Sequence, residues 1–261
     1  MGRAMTACRA LFLSDLHLGS KDCKAELLLQ FLLKHAPDEL YLLGDIVDFW
    51  ALKRRSYWPR EHTLVLKQLQ KMALAGTRVV YVPGNHDAVM RGFSKLALPN
   101  IETHLEYDHI TATGRRIRLI HGDRFDGLFC SGKWLAWIGD HSYNLLLKVN
   151  RVHHAWQKWR GKPYYSLSAD LKMRPAKARE TVARFKRIAM NYAEANHWDG
   201  IICGHIHRPD LDENGPVLYA NTGDWVEHCS ALIEDENGQF SLITEQHLPS
   251  NSHQPLMEVA A

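Results

Sequence analysis

The sequence predicts an α/β fold built on mixed sheets, and three observations lead there. Five short apolar runs of β-like character, at residues 10–14, 40–43, 79–82, 117–120 and 200–203, each stop at an Asp, Asn or His. Two segments between them carry apolar residues at helical spacing. Two further stretches read as hairpins, which adds antiparallel strands to the strand–helix alternation. At 261 residues with 46% hydrophobic content, the chain can bury a full core as one α/β unit. Residues 1–261 are therefore expected to form a single domain.

The elements follow in chain order. After the strand at 10–14, residues 22–35 read as a helix, with Leu27, Leu28, Phe31 and Leu32 on one face. Residues 61–75 read likewise through Leu64, Val65, Leu69 and Met72, and Gly76 supplies a stop. The stretch 107–120 is a hairpin turning at Thr113 and Gly114. A second hairpin spans 231–244, where Asn237-Gly238 is a strong turn signal. Residues 217–220 form a further strand. The tail 249–261 has little to bury and is expected to be loose.

Composition narrows the class. Cys8, Cys23, Cys130, Cys203 and Cys229 are odd in number, widely spaced and contain no C-x-x-C, which argues for a reducing compartment rather than a disulfide framework. The first residues lack the apolar stretch of a signal peptide. No run of 18 apolar residues exists to span a membrane. A cytoplasmic protein is expected.

The chemistry sits at the strand ends. Asp15-Leu-His17, Gly44-Asp45, Gly84-Asn85-His86-Asp87, His121-Gly-Asp123 and Gly204-His205-Ile-His207 each follow one of the five apolar runs. In open α/β sheets ligands collect at the carboxyl ends of strands, so residues from position 15 to position 207 can converge at one edge. Hard oxygen ligands with neutral imidazoles, and no thiolate, suit Mn²⁺, Fe or Zn²⁺ better than Ca²⁺ or Mg²⁺. Two such ions about 3.5–4 Å apart clamp an in-line displacement at phosphorus and generate a hydroxide nucleophile near neutral pH. No G-x-S-x-G elbow, Walker loop or strand-borne G-x-G-x-x-G competes.

The motif order D-x-H, GD-x-x-D, GNHD, H-x-D and GH-x-H resembles that of the calcineurin-like metallophosphoesterases, from about residue 11 to residue 225. The resemblance implies a four-layer α-β-β-α sandwich of mixed sheets. It also implies two divalent ions. Asp15, His17 and His207 would hold one; Asn85, His121 and His205 would hold the other; Asp45 would bridge them. His86 would protonate the leaving oxygen or stabilise charge on the phosphoryl group, and Asp87 would orient His86.

Between His121 and the strand at Gly200 the chain is too long for a simple crossover. Residues 124–195 are expected to form an inserted helical cap. Residues 148–187 carry twelve of the 32 Lys and Arg against two acids, Asp170 and Glu180. Trp134 and Trp137, like Trp156 and Trp159, are three apart and share a helix face. Two readings stand. The aromatics are core packing beneath a solvated basic face, or they line an apolar slot beside a basic rim. The second suits a substrate with a phosphate head and greasy tail, or an anionic membrane surface. A nucleic acid ranks third, because no recognised binding module accompanies the basic stripe.

Within the family, residues 44–50, 121–123 and 204–209, together with the cap, look like the UDP-2,3-diacylglucosamine diphosphatases of lipid A synthesis. That resemblance implies cleavage of a lipid-linked UDP diphosphate to UMP and a lipid phosphate, typically with Mn²⁺, and peripheral association with the inner membrane. It also implies a Ser and a Lys on the cap holding the glucosamine phosphate; Ser166, Lys172 and Lys177 lie in the comparable stretch. Trp156 and Trp159, by their own spacing, are the candidates for the apolar slot. Two departures mark a sister branch. The best-known branch carries Arg at the position of His86, and a C-T-x-D pattern where this chain reads Arg124-Phe125-Asp126-Gly127. A phosphodiesterase or nucleotidase with a small substrate, and an inactive protein-binding scaffold, are the competing readings. Three residues outside the motif ligands have two readings each. Asp48 orients a ligand or caps the next helix. Asn221 and Asp224 line the far rim of the site or serve a turn.

Overall fold

The computed structural model describes residues 6–93, 100–129 and 176–245. Among them, two mixed sheets carry the fold. In the first, β1 (Thr6–Leu13), β2 (His35–Leu43), β3 (Arg78–Val82) and β4 (Ile101–Thr103) run parallel. The antiparallel pair β10 (Ser230–Glu234) and β11 (Phe240–Thr244) extends it beyond β1, giving the order β11-β10-β1-β2-β3-β4. The second contains β5 (Tyr107–Ile110), β6 (Arg116–Leu119), β7 (Gly200–Cys203), β8 (Asp210–Asp212) and β9 (Leu218–Asn221) in the order β5-β6-β7-β9-β8. Its three central strands are parallel and its edges antiparallel. The helices are α1 (Ala25–Lys34), α2 (Phe49–Arg54), α3 (Arg60–Leu74), α4 (Asp126–Phe129) and α5 (Ala176–Ala195).

The period-2 geometry of the strands sorts the core into three slabs. On β1, Leu11 and Leu13 face Leu28 and Phe31 of α1 and Val65 of α3, whereas Ala10 and Phe12 face the second sheet. On β7, Ile202 looks towards the first sheet, while Ile201 and Cys203 pack on Phe185, Ala189 and Ala193 of α5. Helices, sheet, sheet and helix therefore stack as four layers, as expected. Phe12 stacks on Tyr41 with ring centroids 4.9 Å apart.

A buried polar network ties the sheets together away from the strands' carboxyl ends. Nε2 of His109, on β5, donates to Glu234 of β10 at 2.6 Å, and Nδ1 donates to the Tyr41 hydroxyl at 2.9 Å. Tyr41 in turn donates to Glu39 at 3.0 Å. Burial opposes charge on His109, but Glu234 and Glu39 outweigh it and hold its pKa up.

Both hairpins, and the two helices read from the sequence, α1 and α3, lie within three residues of their expected places. β2 starts five residues earlier than the apolar pattern suggests, because His35–Glu39 pairs with β1 despite its polar content. Residues Trp134, Trp137, Trp156, Trp159, Ser166 and Lys172, and the tail 249–261, lie outside the described residues. So does the side chain of Lys177 in the first turn of α5.

Phe12, fully buried between the sheets, and Leu74, 65% exposed at the end of α3, set a contrast. Phe12→Ala is expected to cost about 3–5 kcal/mol, and Leu74→Ala to stay within about 0.5 kcal/mol. Denaturant midpoints measure both, and equal shifts would contradict the inter-sheet placement of Phe12.

Candidate metal centre

The loops after β1, β2, β3, β6 and β7 meet at one edge of the sandwich. Asp15 N–H donates to Gly44 O at 3.0 Å, His17 N–H to Asp45 O at 2.9 Å, and Gly204 N–H to His121 O at 2.9 Å. Asp15, His17, Asp45, His205 and His207 all sit at positive φ, between 50° and 71°. Non-glycine residues hold such conformations only where their surroundings over-determine them, and they cluster at functional sites. Gly44, at φ 83°, could not be replaced cheaply, since a Cβ there would overlap the His121 imidazole.

The expected ligands largely converge. Asp15 Oδ1 lies 3.1 Å from His207 Nε2 and 3.8 Å from His17 Nε2, and the two imidazole nitrogens are 3.2 Å apart. Asp45 Oδ2 lies 3.5 Å from His121 Nε2 and 3.9 Å from His17 Nε2. Asn85 Oδ1 is 3.1 Å from His121 Nε2. Asp15, Asp45 and His121 form one compact donor group, and Asp15, His17 and His207 another. His205 differs: its ring lies 5.0 Å from that of His121, and its Nε2 is engaged by Asp126 at 2.7 Å.

These donors suit divalent ions. Asp15 Oδ1 is buried and accepts no hydrogen bond, although Oδ2 takes the Ser14 hydroxyl and the His205 N–H. A buried carboxylate oxygen without a donor, facing imidazole nitrogens, calls for a cation. His121 Nδ1–H donates to Leu43 O at 2.8 Å and His17 Nδ1–H to Asp48 at 3.3 Å. Both rings thus turn Nε2 inward.

The carboxylates set the electrostatics. Burial resists charge on His17, but Asp48, Asp45 and Asp15 outweigh it and hold its pKa up at about 9. Burial likewise resists charge on His121, and Asp45 and Asp15 push its pKa up to about 10. Burial works against ionisation of Asp45 too, yet His121, His17 and His86 hold its carboxyl well below the usual range.

One role differs from expectation. Asp87 does not orient His86. Its carboxylate accepts the N–H groups of Gly84, Asp45 and Ile46 at 2.6, 3.2 and 2.7 Å, clamping the loops after β2 and β3. Asp48 holds His86 instead, accepting from Nδ1 at 2.9 Å. The same carboxylate caps α2 through Ala51 N–H at 2.7 Å, so both readings of Asp48 hold at once. Trp50, 48% exposed on α2, covers His86 with ring centroids 4.2 Å apart. Asn221 serves its turn, its Oδ1 accepting Gly223 N–H at 3.0 Å, and its amide also donates to Gly204 O at 2.6 Å. Asp126 and His228 escaped sequence reasoning; the only trace of His228 is its four-residue spacing from Asp224.

Comparison with known proteins places this geometry. The family model of the calcineurin-like phosphoesterases matches residues 8–209. A protein of Neisseria gonorrhoeae named UDP-2,3-diacylglucosamine hydrolase is 27% identical over 255 residues, covering 90% of this chain and 98% of the relative. Proteins of the same name are similar in Haemophilus influenzae, at 24% over 256 residues (90% and 98% covered), and in Aeromonas salmonicida, at 28% over 247 residues (85% and 88%).

The raised histidine pKa values predict opposite pH responses with and without metal. In the metal-free protein the His17 and His121 ion pairs are fully present below about pH 6.5 and are lost as pH rises through about 9 and about 10. The metal-free melting temperature should therefore fall between pH 7 and 9. Ions must displace those protons, so metal affinity should rise over the same interval, with release of about two protons at neutral pH. Calorimetric titration in buffers of different ionisation enthalpy measures that release. A metal-free melting temperature that climbs with pH would contradict the pairing.

Proposed function

The chain belongs to the calcineurin-like phosphoesterase family of metal-dependent hydrolases, and on that premise we propose that its substrate is the diphosphate of UDP-2,3-diacylglucosamine or of a related UDP-linked lipid. The convergence of Asp15, His17, Asp45, Asn85, His121 and His207 at one sandwich edge carries the hydrolytic chemistry. The names of relatives matched over nearly their whole length support the choice of substrate.

Asp15, His17 and His207 would hold one ion, and Asn85, His121 and His205 the second, with Asp45 between. Bound manganese would supply Lewis acidity at phosphorus and bring water towards ionisation near neutral pH. Asp45 is set for the shared position: Oδ1 is taken by His86 N–H at 2.8 Å, leaving Oδ2 towards His17, His121 and His86. With Nδ1–H held by Asp48, His86 has Nε2 to deliver a proton to the leaving oxygen. An Arg there could stabilise charge but not give up a proton at neutral pH. Asp87 contributes indirectly by fixing the backbone that presents Asp45.

In this reading the cap of one domain spanning 1–261 comes from the part of residues 124–195 that precedes α5, since α5 itself is the helical layer packed on the second sheet. Trp156 and Trp159 face the acyl chains, and Ser166, Lys172 and Lys177 hold the sugar phosphate. The basic face of the cap meets an anionic membrane surface peripherally. Among the described residues no helix is long and apolar enough to cross a membrane.

Incubating the Mn²⁺-loaded protein with a diacylated UDP-sugar should release UMP; a loaded protein that cleaves only small aryl phosphodiesters would transfer the reading to a small-substrate phosphodiesterase. Asp45→Ala should abolish turnover and leave less than one ion per chain. His86→Ala should keep its metal and lose about 10²–10⁴-fold in kcat; metal loss equal to that of Asp45→Ala would make His86 a ligand. Replacing both Trp156 and Trp159 with Ala should raise KM for the UDP-lipid, whose acyl chains bind by about 0.8 kcal/mol per buried CH₂. The small ester should be spared. Equal losses on both substrates in a folded variant would make those tryptophans structural.

A further inference from the structure

His205 and His207 leave one turn, yet each is paired with a different carboxylate through a different nitrogen. Asp224 is fully buried, and its Oδ1 is saturated by the N–H groups of Val226, Glu227 and His228. Its Oδ2 accepts from His228 Nδ1–H at 2.8 Å. Arg208 Nη1 sits 3.5 Å from His228 Nε2. Arg is a permanent donor, so the His228 proton belongs on Nδ1, and the chain of donors runs Arg208 to His228 to Asp224. The remaining lone pair of Oδ2 looks at His207 Nδ1 across 3.6 Å. That nitrogen is buried and has no hydrogen-bond partner. A proton on Nδ1 leaves His207 Nε2 free, and Nε2 is the atom facing Asp15 and His17.

His205 is the reverse case. Its Nε2 lies 2.7 Å from Oδ1 of Asp126, the first residue of α4. Nε2–H donating there leaves Nδ1 as the free lone pair. His17 and His121 both tie up Nδ1 instead, so His205 is the odd member of the set.

We propose that Asp224 and Asp126 are positioning residues, each setting one histidine of the Gly204–His207 turn for its own ion: Asp224 holds His207 with Nε2 free, and Asp126 holds His205 with Nδ1 free. This rests on the ligand assignment proposed above. The two carboxylates are not equivalent. Asp224 is locked by three backbone donors, whereas the side chain of Asp126 is 54% exposed. The ion held through His207 is therefore the tight one, and the ion held through His205 binds according to where α4 places Asp126.

Mn²⁺ titration of the metal-free full-length protein tests this. Asp224→Asn keeps an oxygen for the backbone turn but removes the negative charge that faces His207 Nδ1 across 3.6 Å. It should weaken one ion by roughly 10–100-fold, the usual effect of removing a carboxylate behind a ligating histidine, and leave the other within about twofold. Asp126→Asn should weaken the other ion, by about tenfold since the pair is solvent-exposed. The double variant should weaken both by the same factors. Two single variants that weaken the same ion, or both ions together, overturn the proposal. Long-range ¹H–¹⁵N spectra of the Zn²⁺-loaded wild type provide a test without substitution: His205 should carry its proton on Nε2 and His207 on Nδ1. The same tautomer at both overturns it. A wild type that takes up no Mn²⁺ fails earlier, at the ligand assignment itself, and removes this proposal with it.

Discussion

The carboxylate of Asp15 lies where the two sheets touch. Its main-chain oxygen accepts Trp225 N–H, and its Oδ2 accepts His205 N–H from the second sheet. Ser14 adds a hydroxyl donor and is itself held by Thr222 and Gly223. What remains is one buried anionic oxygen turned into the space between His17 and His207. Leaving such a charge uncompensated would cost several kcal/mol. Protonated His17 and His121, held in that form by the Asp15, Asp45 and Asp48 carboxylates, supply positive charge in the metal-free chain, and a divalent ion would supply it otherwise. The fold thus closes its two sheets over a position that requires a cation.

That arrangement has a conformational cost. Each left-handed residue at the strand ends costs on the order of 1–3 kcal/mol, and there are five among the candidate ligands. Hydrogen bonds between neighbouring loops and the Asp87 clamp hold them there. At the opposite side of the inter-sheet core, His109, Glu234, Tyr41 and Glu39 form a second polar junction. The sandwich is therefore joined by polar groups twice, with Phe12 and its apolar neighbours between.

Much of this was readable from residue patterns because the relevant forces are local. Apolar runs of four or five residues ending in Asp, Asn or His located the strands and the candidate ligands together. Asn237-Gly238 and Thr113-Gly114 located the hairpins. What escaped was decided by distance in space rather than in sequence. Asp48 and Asp87 both lie near His86, and adjacency favoured Asp87; but the loop after β3 turns Asp87 inward to backbone donors, and α2 brings Asp48 to Nδ1. Asp126 meets His205 across 79 positions, and nothing in the local pattern of either announces it. β4 and β8 are three-residue edge strands whose pairing is set by their neighbours, so they leave little periodic trace.

The strand order has a consequence for how the chain is made. β1 emerges from the ribosome long before β10, but in the finished sheet it lies between β2 and β10, and β10 begins at Ser230. One edge of an almost wholly apolar strand must stay unpaired until more than two hundred further residues have been synthesised. At about 5–20 residues per second, that interval is roughly ten to forty-five seconds. An open strand edge is a template for pairing with another chain. The nascent chain is therefore exposed to aggregation through β1 for that whole interval, and a chaperone that shields this segment until the β10–β11 hairpin arrives would act at the step where the fold is most vulnerable.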